Sequence, residues 1–337
     1  MIPFFIYRNP IWNFNLDRNN NNISILHEIP SYLEETIDKN VIYENKLTYK
    51  LDSACQLFFA GYINKKKSRI VFKIKYISIN DNYILLARFS KKRWLFITWI
   101  FRIIELNNPF RETVGLIKSF RIKKVSNQRL KTRIKKNTES ELKTFHSTIL
   151  DSNPLISVII PTLNRYDHLK NVLKDLEKQD YKNLEIIIVD QSDNFDREFY
   201  SNWILDIKYI RQKEKALWLA RNQAVKNSRG DFILLSEDDV RFNHNFISDH
   251  LKIIDFYNCD ISNGPLLPIG TSLHSKKGGF KISDQFPAGN SMLKRKVFEK
   301  VGLFDRQFEK QRMGDGEFGT RCYIYGLFAV LNPLSPC

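Results

Sequence analysis

Four short apolar runs follow one another in the second half of the chain: ISVII from Ile156, EIIIV from Glu185, IKYI from Ile207 and DFILL from Asp231. Each is too short for a buried helix and continuous rather than alternating, the pattern of a strand covered on both faces. Between them, Tyr166 to Gln179 and Ala216 to Ser228 carry apolar residues at helical spacing. Strand and helix in alternation leave few solutions. The expected architecture for residues 154–337 is α/β, a mostly parallel sheet flanked by helices with right-handed crossovers. In such a sheet ligands sit beyond the carboxyl ends of the strands, so the residues after each run are where chemistry is expected.

Those residues are polar: PTLNR follows the first run, DQSDN the second and SEDD the fourth. Glu237, Asp238 and Asp239 put three carboxylates on one tight turn. Two of them can share a hard divalent cation, Mg2+ or Mn2+, while facing phosphate oxygens. A diphosphate leaving group needs its growing charge neutralised, and a metal does this without a proton. Taken alone, the same triplet is an acidic turn ahead of a helix.

In order along the chain, LISVIIPTLNR, LEIIIVDQSDN, ALWLARNQAVKNSRGDFILLSEDDV, FPAGNSMLKRKVFEKVGLFDRQF and GDGEFGTRCYIYG resemble the family 2 glycosyltransferases over residues 155 to 333. The resemblance implies a GT-A type, Rossmann-like sheet. It also implies inverting transfer from a nucleotide-sugar donor, a UDP-sugar favoured, to a hydroxyl of a glycan or lipid-linked acceptor in bacterial surface polysaccharide biosynthesis. By the same resemblance Pro161, Thr162 and Arg165 line the nucleotide, Asp190 contacts its base or ribose, and Arg221 and Asn222 lie on the nucleotide side of the cleft. An arginine suits a diphosphate because its fork engages two oxygens at once. SEDD stands in the place of the DXD element, with Glu237 where an aspartate is commoner. Asp239 with Glu237 is then the metal pair, and Asp238 faces the sugar or ribose. Gly289 and Asn290 join the donor or acceptor wall.

Aligned on Arg321 and Gly326, Asp315 takes the role of catalytic base, with Glu317 as the second choice. As residues alone, these acids are also ordinary at a helix N-terminus. Two departures from the family stand out. Gln191 occupies a position that is commonly acidic or Asn, and the histidine that in many members follows the last matching strand and completes the metal site is expected just where the given sequence reaches Cys337. Either the sequence stops short of it or phosphate oxygens and water complete the shell. His244, His250 and His274 lie elsewhere and are not assigned to it. Gly264 to Phe286, with GPLLPIG and KKGGFK, is expected to be a mobile loop meeting the acceptor.

The first half is less legible. Residues 1–117 are expected to form a mixed α/β or β-rich domain, with strands at Ile70 to Ile79 and Asn82 to Phe89 and a loop over Asn19 to Asn22. Residues 118–153 form a basic connector or helix that includes Lys118, Arg121, Lys123, Lys124, Arg129 and Lys131. The whole chain carries 53 Lys and Arg against 37 Asp and Glu, a net +16 that favours polyanionic partners. One reading is peripheral contact with an anionic membrane, with Trp94, Phe96, Trp99 and Phe101 on one exposed face; the other is a solvated linker beside a buried aromatic helix. Nucleic-acid binding fits the charge but not the strand-end carboxylates, which repel phosphate. A transferase-like module that binds without catalysis is the remaining alternative.

With 43% hydrophobic and 13% aromatic residues, a mostly disordered chain is excluded. Four cysteines without a close pair suggest neither a disulfide framework nor a zinc knuckle, and fit a reducing compartment. MIPFFIYRNPIWNF does not read as a signal peptide. WLFITWIFRII, from Trp94 to Ile104, is interrupted by Arg102 and falls short of the roughly 20 residues of a membrane span. The expected location is cytoplasmic, with peripheral attachment at the inner face of the membrane as the variant of that reading.

Overall fold

The computed structural model describes residues 22–26, 29–65, 69–73, 77–268, 279–283, 285–311 and 313–337. The chain divides into two compact units, 1–139 and 140–337.

The first unit is mainly helical among the described residues. Strands β1 (Asn22–Leu26) and β2 (Arg69–Lys73) pair antiparallel, from Asn22 opposite Lys73 to Leu26 opposite Arg69. The helices are α1 (Ser31–Glu34), α2 (Lys46–Ala60), α3 (Ile79–Phe89), α4 (Arg93–Ile104), α5 (Pro109–Phe120) and α6 (Gln128–Thr144), the division between the units falling inside α6. The expected strand from Ile70 is thus shorter than foreseen, with residues 74–76 outside the described ones, and the expected strand from Asn82 is helix α3. The Ser78 hydroxyl caps α3 by accepting from the Asp81 N–H at 3.1 Å, and Tyr83 and Leu86 bury one helical face. A continuous apolar run fits a buried helix as well as a buried strand; here the cap decides. Of the expected loop over Asn19 to Asn22, residues 19–21 lie outside the described residues and Asn22 opens β1. The basic α6 is not wholly solvated: Leu130 and Ile134 pack against Leu33, Ile37, Leu57 and Ala60. Within this unit a buried ion pair joins Arg88 to Asp52 at 2.8 Å.

In the second unit, α7 (Thr148–Ser152) precedes β3 (Ile156–Thr162), α8 (Tyr166–Glu177), β4 (Leu184–Asp190), β5 (Asp206–Arg211), α9 (Leu217–Asn227), β6 (Phe232–Ser236) and α10 (Phe246–Tyr257). There follow β7 (Ile261–Asn263), β8 (Lys281–Ile282), β9 (Asn290–Lys294), α11 (Lys296–Val301), α12 (Gly314–Ile324) and β10 (Ala329–Leu331). Among the described residues, all but β1 and β2 of the ten strands form one sheet of order β5-β4-β3-β6-β9-β7-β10-β8. The pairs β3/β4, β3/β6, β4/β5 and β7/β10 are parallel, while β9 runs antiparallel between β6 and β7. The mostly parallel sheet flanked by helices is therefore present as expected.

Every residue of β3, β4 and β6 is buried. On one face Ile159, Ile187, Ile233 and Leu235 pack with Trp218, Ala220 and Ala224 of α9 and with Phe318 of α12. The alternate residues Val158, Ile160, Ile186 and Leu234 are equally buried and turn the other way. β5 is the sheet edge and only half-buried, so the expectation that IKYI is covered on both faces is corrected by its position. The expected mobile loop contains β8, and residues 269–278 and 284 of it lie outside the described residues.

Two polar clusters set the register. The Glu185 carboxylate at the start of β4 accepts from the Ser157 hydroxyl at 2.5 Å and from the N–H groups of Arg229 and Gly230 at 2.5 and 3.1 Å, locking the turn before β6. A Cβ on Gly230 would lie 2.6 Å from the Ser157 nitrogen and 2.8 Å from the Leu155 oxygen, both backbone atoms. Gly230→Ala is therefore expected to destabilise the fold by about 2 kcal/mol, read as a lower urea midpoint with an unchanged slope.

The second cluster joins α10 to the sheet. The buried His250 ring meets Ser262 Oγ through Nδ1 at 2.8 Å and Asn290 Oδ1 through Nε2 at 3.0 Å. Burial lowers its pKa to about 4. The unfolded imidazole titrates at its ordinary value, so this neutral histidine contributes fully above about pH 6.5, and the contribution is lost as pH falls toward 4. Wild type should lose up to about 3 kcal/mol across that window through this group. His250→Gln should flatten the slope of unfolding free energy against pH; an unchanged slope would show that the ring is not held neutral.

Candidate donor and metal site

The site forms where the strand order reverses. From β3 the chain passes to β4 and then β5 on one side, and returns to β6 on the other. The crevice at the carboxyl ends of β3 and β6 is thus the topological switch point, where open α/β sheets bind ligands. Ile159 lies opposite Leu235, so the residues just after them, Pro161, Thr162 and Glu237 to Asp239, rise on both sides of that crevice.

Asp238 is buried beneath it. Its Oδ2 accepts from the Thr162 hydroxyl at 2.8 Å, and its Oδ1 faces Arg165 Nη1 at 3.3 Å. Burial pushes the Asp238 carboxyl above its ordinary range, against the pull of Thr162 and Arg165. Arg165 also donates to Asp239 Oδ2 at 2.8 Å, and the two carboxylates raise its own pKa. Both the Arg165 and the Asp239 side chains are about half exposed. One guanidinium thus bridges two carboxylates at the mouth of the crevice.

Glu237 faces the other way. Its carboxylate pairs with the buried Arg221 guanidinium, which also donates to the Ala288 carbonyl. Gly289 lies against it so closely that a Cβ would come within 2.8 Å of Glu237 Cγ. Asn290, beside it, is wholly buried; besides His250, it reaches the Ser335 carbonyl at 3.0 Å. Asn222 turns inward, exchanging hydrogen bonds with the Phe304 backbone at 2.8 and 2.9 Å.

Asp190 ends β4 level with Thr162 but is fully enclosed. It accepts from the hydroxyls of Tyr166 and Tyr200 at 2.5 and 2.8 Å and from the Ser192 N–H at 2.8 Å. Gln191 is buried as well and caps the entry to α9, accepting from the Ala216 N–H at 2.6 Å.

Asp315 lies in the first turn of α12, its Oδ1 accepting from the Gly316 N–H at 2.8 Å. Glu317 is instead held by Arg321 at 2.5 and 2.9 Å, and Arg321 is anchored on the carbonyls of Val301 and Leu303. Among the described residues no cation engages the Asp315 carboxylate. The start of α12 is tied to the carboxylate turn through Trp218: a Cβ on Gly314 would fall 2.5 Å from that ring, and the Arg221 guanidinium lies 5.5 Å from the Trp218 centroid. Glu309 completes the join by accepting from the Trp218 and Leu219 N–H groups at 3.0 and 2.7 Å, which caps α9 from a residue 90 positions away. No local pattern announces Glu309, Tyr166, Tyr200 or His250, since their partners are distant in sequence.

Among the described residues, no three His, Cys, Asp or Glu side chains gather as a closed metal cage. The carboxylates at the crevice are instead Asp239, held by the exposed Arg165, and next to it Glu237, which is paired with Arg221. This oxygen set fits a hard cation whose shell is completed by water and diphosphate oxygens, the way Mg2+ is commonly held.

Residues 157–304 match the family model described as Glycosyl transferase family 2. The glycosyltransferase GlyA of Streptococcus pneumoniae serotype 4 is 29% identical over 163 residues, 47% of this chain and 22% of the relative. The poly(ribitol-phosphate) β-N-acetylglucosaminyltransferase TarS of Staphylococcus aureus is 26% identical over 112 residues, 31% of this chain and 20% of the relative. The chain thus matches about a fifth of the length of these two curated relatives. A crystal structure of S. aureus TarS aligns at 18% identity with a TM-score of 0.46, covering 53% of this chain and 35% of that one. With the strand-end carboxylates and the sheet order in agreement with that match, residues 157–304 are a Glycosyl transferase family 2 domain.

Proposed function

We propose that this protein transfers a sugar, with inversion, from a nucleotide-sugar donor to a hydroxyl of a glycan or lipid-linked acceptor in bacterial surface polysaccharide biosynthesis. The observation that carries the reading is the Arg165 bridge over Asp238 and Asp239 at the switch point of a buried parallel sheet. A guanidinium on two carboxylates is an ion pair that a diphosphate and a divalent cation can replace charge for charge. The named relatives, a glycosyltransferase and a poly(ribitol-phosphate) β-N-acetylglucosaminyltransferase, support the substrate class.

In this reading Pro161, Thr162 and Arg165 line the donor, and Arg165 turns from Asp239 to the diphosphate. Asp190 supports that wall from beneath by fixing Tyr166 and Tyr200, and Asn222 and Asn290 hold the backbone around it. Asp238 faces the ribose or sugar. Asp239, with Glu237, would hold Mg2+ or Mn2+, which neutralises charge on the departing diphosphate. Asp315 takes the proton from the acceptor hydroxyl as that oxygen attacks the anomeric carbon from the side opposite the diphosphate, and a single displacement inverts the centre. UDP-sugars are the favoured donors.

The test is nucleoside diphosphate release across a nucleotide-sugar panel with Mg2+ or Mn2+. Asp315→Asn should lower kcat about 10²- to 10⁴-fold with donor KM little changed. Asp239→Asn should depress turnover and raise the cation concentration required, and EDTA should abolish release. Glu317→Gln should affect thermal stability more than turnover. Donor binding by calorimetry without release or transfer would instead favour a binding module, and neither binding nor turnover would reject the site.

A further inference from the structure

Helices α4 and α5 form an antiparallel hairpin. Phe96 near the start of α4 meets Phe120 at the end of α5 with ring centroids 6.3 Å apart, and Trp99 Nε1 donates to Thr113 Oγ1 at 3.1 Å. The inner side is fixed: Leu95 and Leu116 are buried, and Arg102 pairs with the buried Glu112 at 3.0 Å. Glu112 in turn accepts from the Tyr83 hydroxyl of α3 at 3.0 Å. Gly115 packs so closely on Tyr83 that a Cβ would lie 2.7 Å from its ring. Turning the hairpin over would break its contacts with Tyr83 of α3.

The outer side is apolar and uncovered among the described residues. On α4, Phe96, Ile100 and Ile104 recur every four residues, with Phe101 beside them. On α5, Phe110, Val114 and Ile117 share one face at spacings of four and three residues, and Leu106 stands at the turn. Phe110 is 83% exposed and Leu106 93%. Scattered exposed apolar residues are ordinary, but a stripe shared by two packed helices is not. The expected exposed face is corrected in its membership: Trp94 and Trp99 pack inward, whereas Phe96 and Phe101 face out.

Charge selects what can cover this stripe. From Lys91 to Lys124 the sequence holds nine lysines and arginines against two acids, Glu105 and Glu112. Arg102 pairs with both acids, which leaves the outside of the hairpin cationic. Because the helices are antiparallel, Lys91, Lys92 and Arg93 at the start of α4 adjoin Lys118 and Arg121 at the end of α5. One end of the stripe is basic and the other, around Ile104, Leu106 and Phe110, is apolar. A second copy docking face to face would set these like charges against each other. A nucleic acid would match the charge but leave the apolar end in water.

We propose that the α4–α5 hairpin docks on an anionic lipid bilayer, its apolar end entering the boundary between headgroups and acyl chains and its basic end facing lipid phosphates. This inference stands apart from the transfer reaction. It is tested by sedimenting the full chain with vesicles of phosphatidylcholine alone and of phosphatidylcholine mixed with phosphatidylglycerol. The protein should pellet with the anionic vesicles and much less with the neutral ones, and added salt should release it.

Phe101→Ser with Phe110→Ser, and separately Lys118→Glu with Arg121→Glu, should each lower the apparent partition coefficient about tenfold or more while the circular dichroism spectrum is unchanged. Phe110→Ser alone, at an exposed position, serves should a double variant fail to fold. The proposal is overturned by wild type that ignores anionic vesicles, by variants that bind as wild type does, or by the same variants abolishing self-association or nucleic-acid binding of a protein that does not pellet with lipid.

Discussion

Three successive carboxylates at the end of a buried strand repel one another, and the second unit of this molecule depends on how that repulsion is balanced. Water screens little of it at Asp238, which is buried. Two guanidiniums do the balancing from opposite sides, Arg165 from the loop after β3 and Arg221 from α9. They differ in kind. Arg221 is enclosed and fixes Glu237 as part of the framework, whereas Arg165 is half in solvent and can exchange one anion for another. The turn is therefore rigid where it joins the sheet and adjustable where a donor would meet it.

The sheet makes this arrangement possible because its central strands are buried along their whole length and cannot slip. Glu185 secures the entry to β6 against β3 and β4, so the carboxylate turn at the far end of β6 arrives at a fixed height beside Thr162. On the far side of β6, β9 sets Asn290 opposite Ser236, so Gly289 just before it meets Glu237 where any larger residue would collide.

What could be read from the sequence was whatever is local. ISVII, EIIIV and DFILL declare buried strands because both faces demand apolar residues, and SEDD and PTLNR follow them at the ends where ligands bind. α3 was missed because a run such as YILLA satisfies a buried helix and a buried strand alike, and the deciding signal was one serine at position 78. The partners of Asp190 and Asn222 could not be read either. A carboxylate at a strand end looks free to face a ligand until Tyr166 and Tyr200 close over it, and those tyrosines are supplied by tertiary packing. The same holds for the hairpin in the first half: the sequence showed aromatics and basic residues together, but the side on which Trp94 and Trp99 pack decides which of them remain in solvent.

The cap that Glu309 places on α9 has a further consequence. Glu309 belongs to the segment leading into α12, which carries Asp315, while α9 carries Arg221 and through it Glu237. Local opening of one segment removes the capping anion from the other, so the two are linked thermodynamically: whatever steadies the first turn of α9 also steadies the approach to Asp315, by the same free energy in either direction. In the proposed reaction, donor occupancy beside α9 and order before Asp315 would in this way be coupled through the single carboxylate of Glu309.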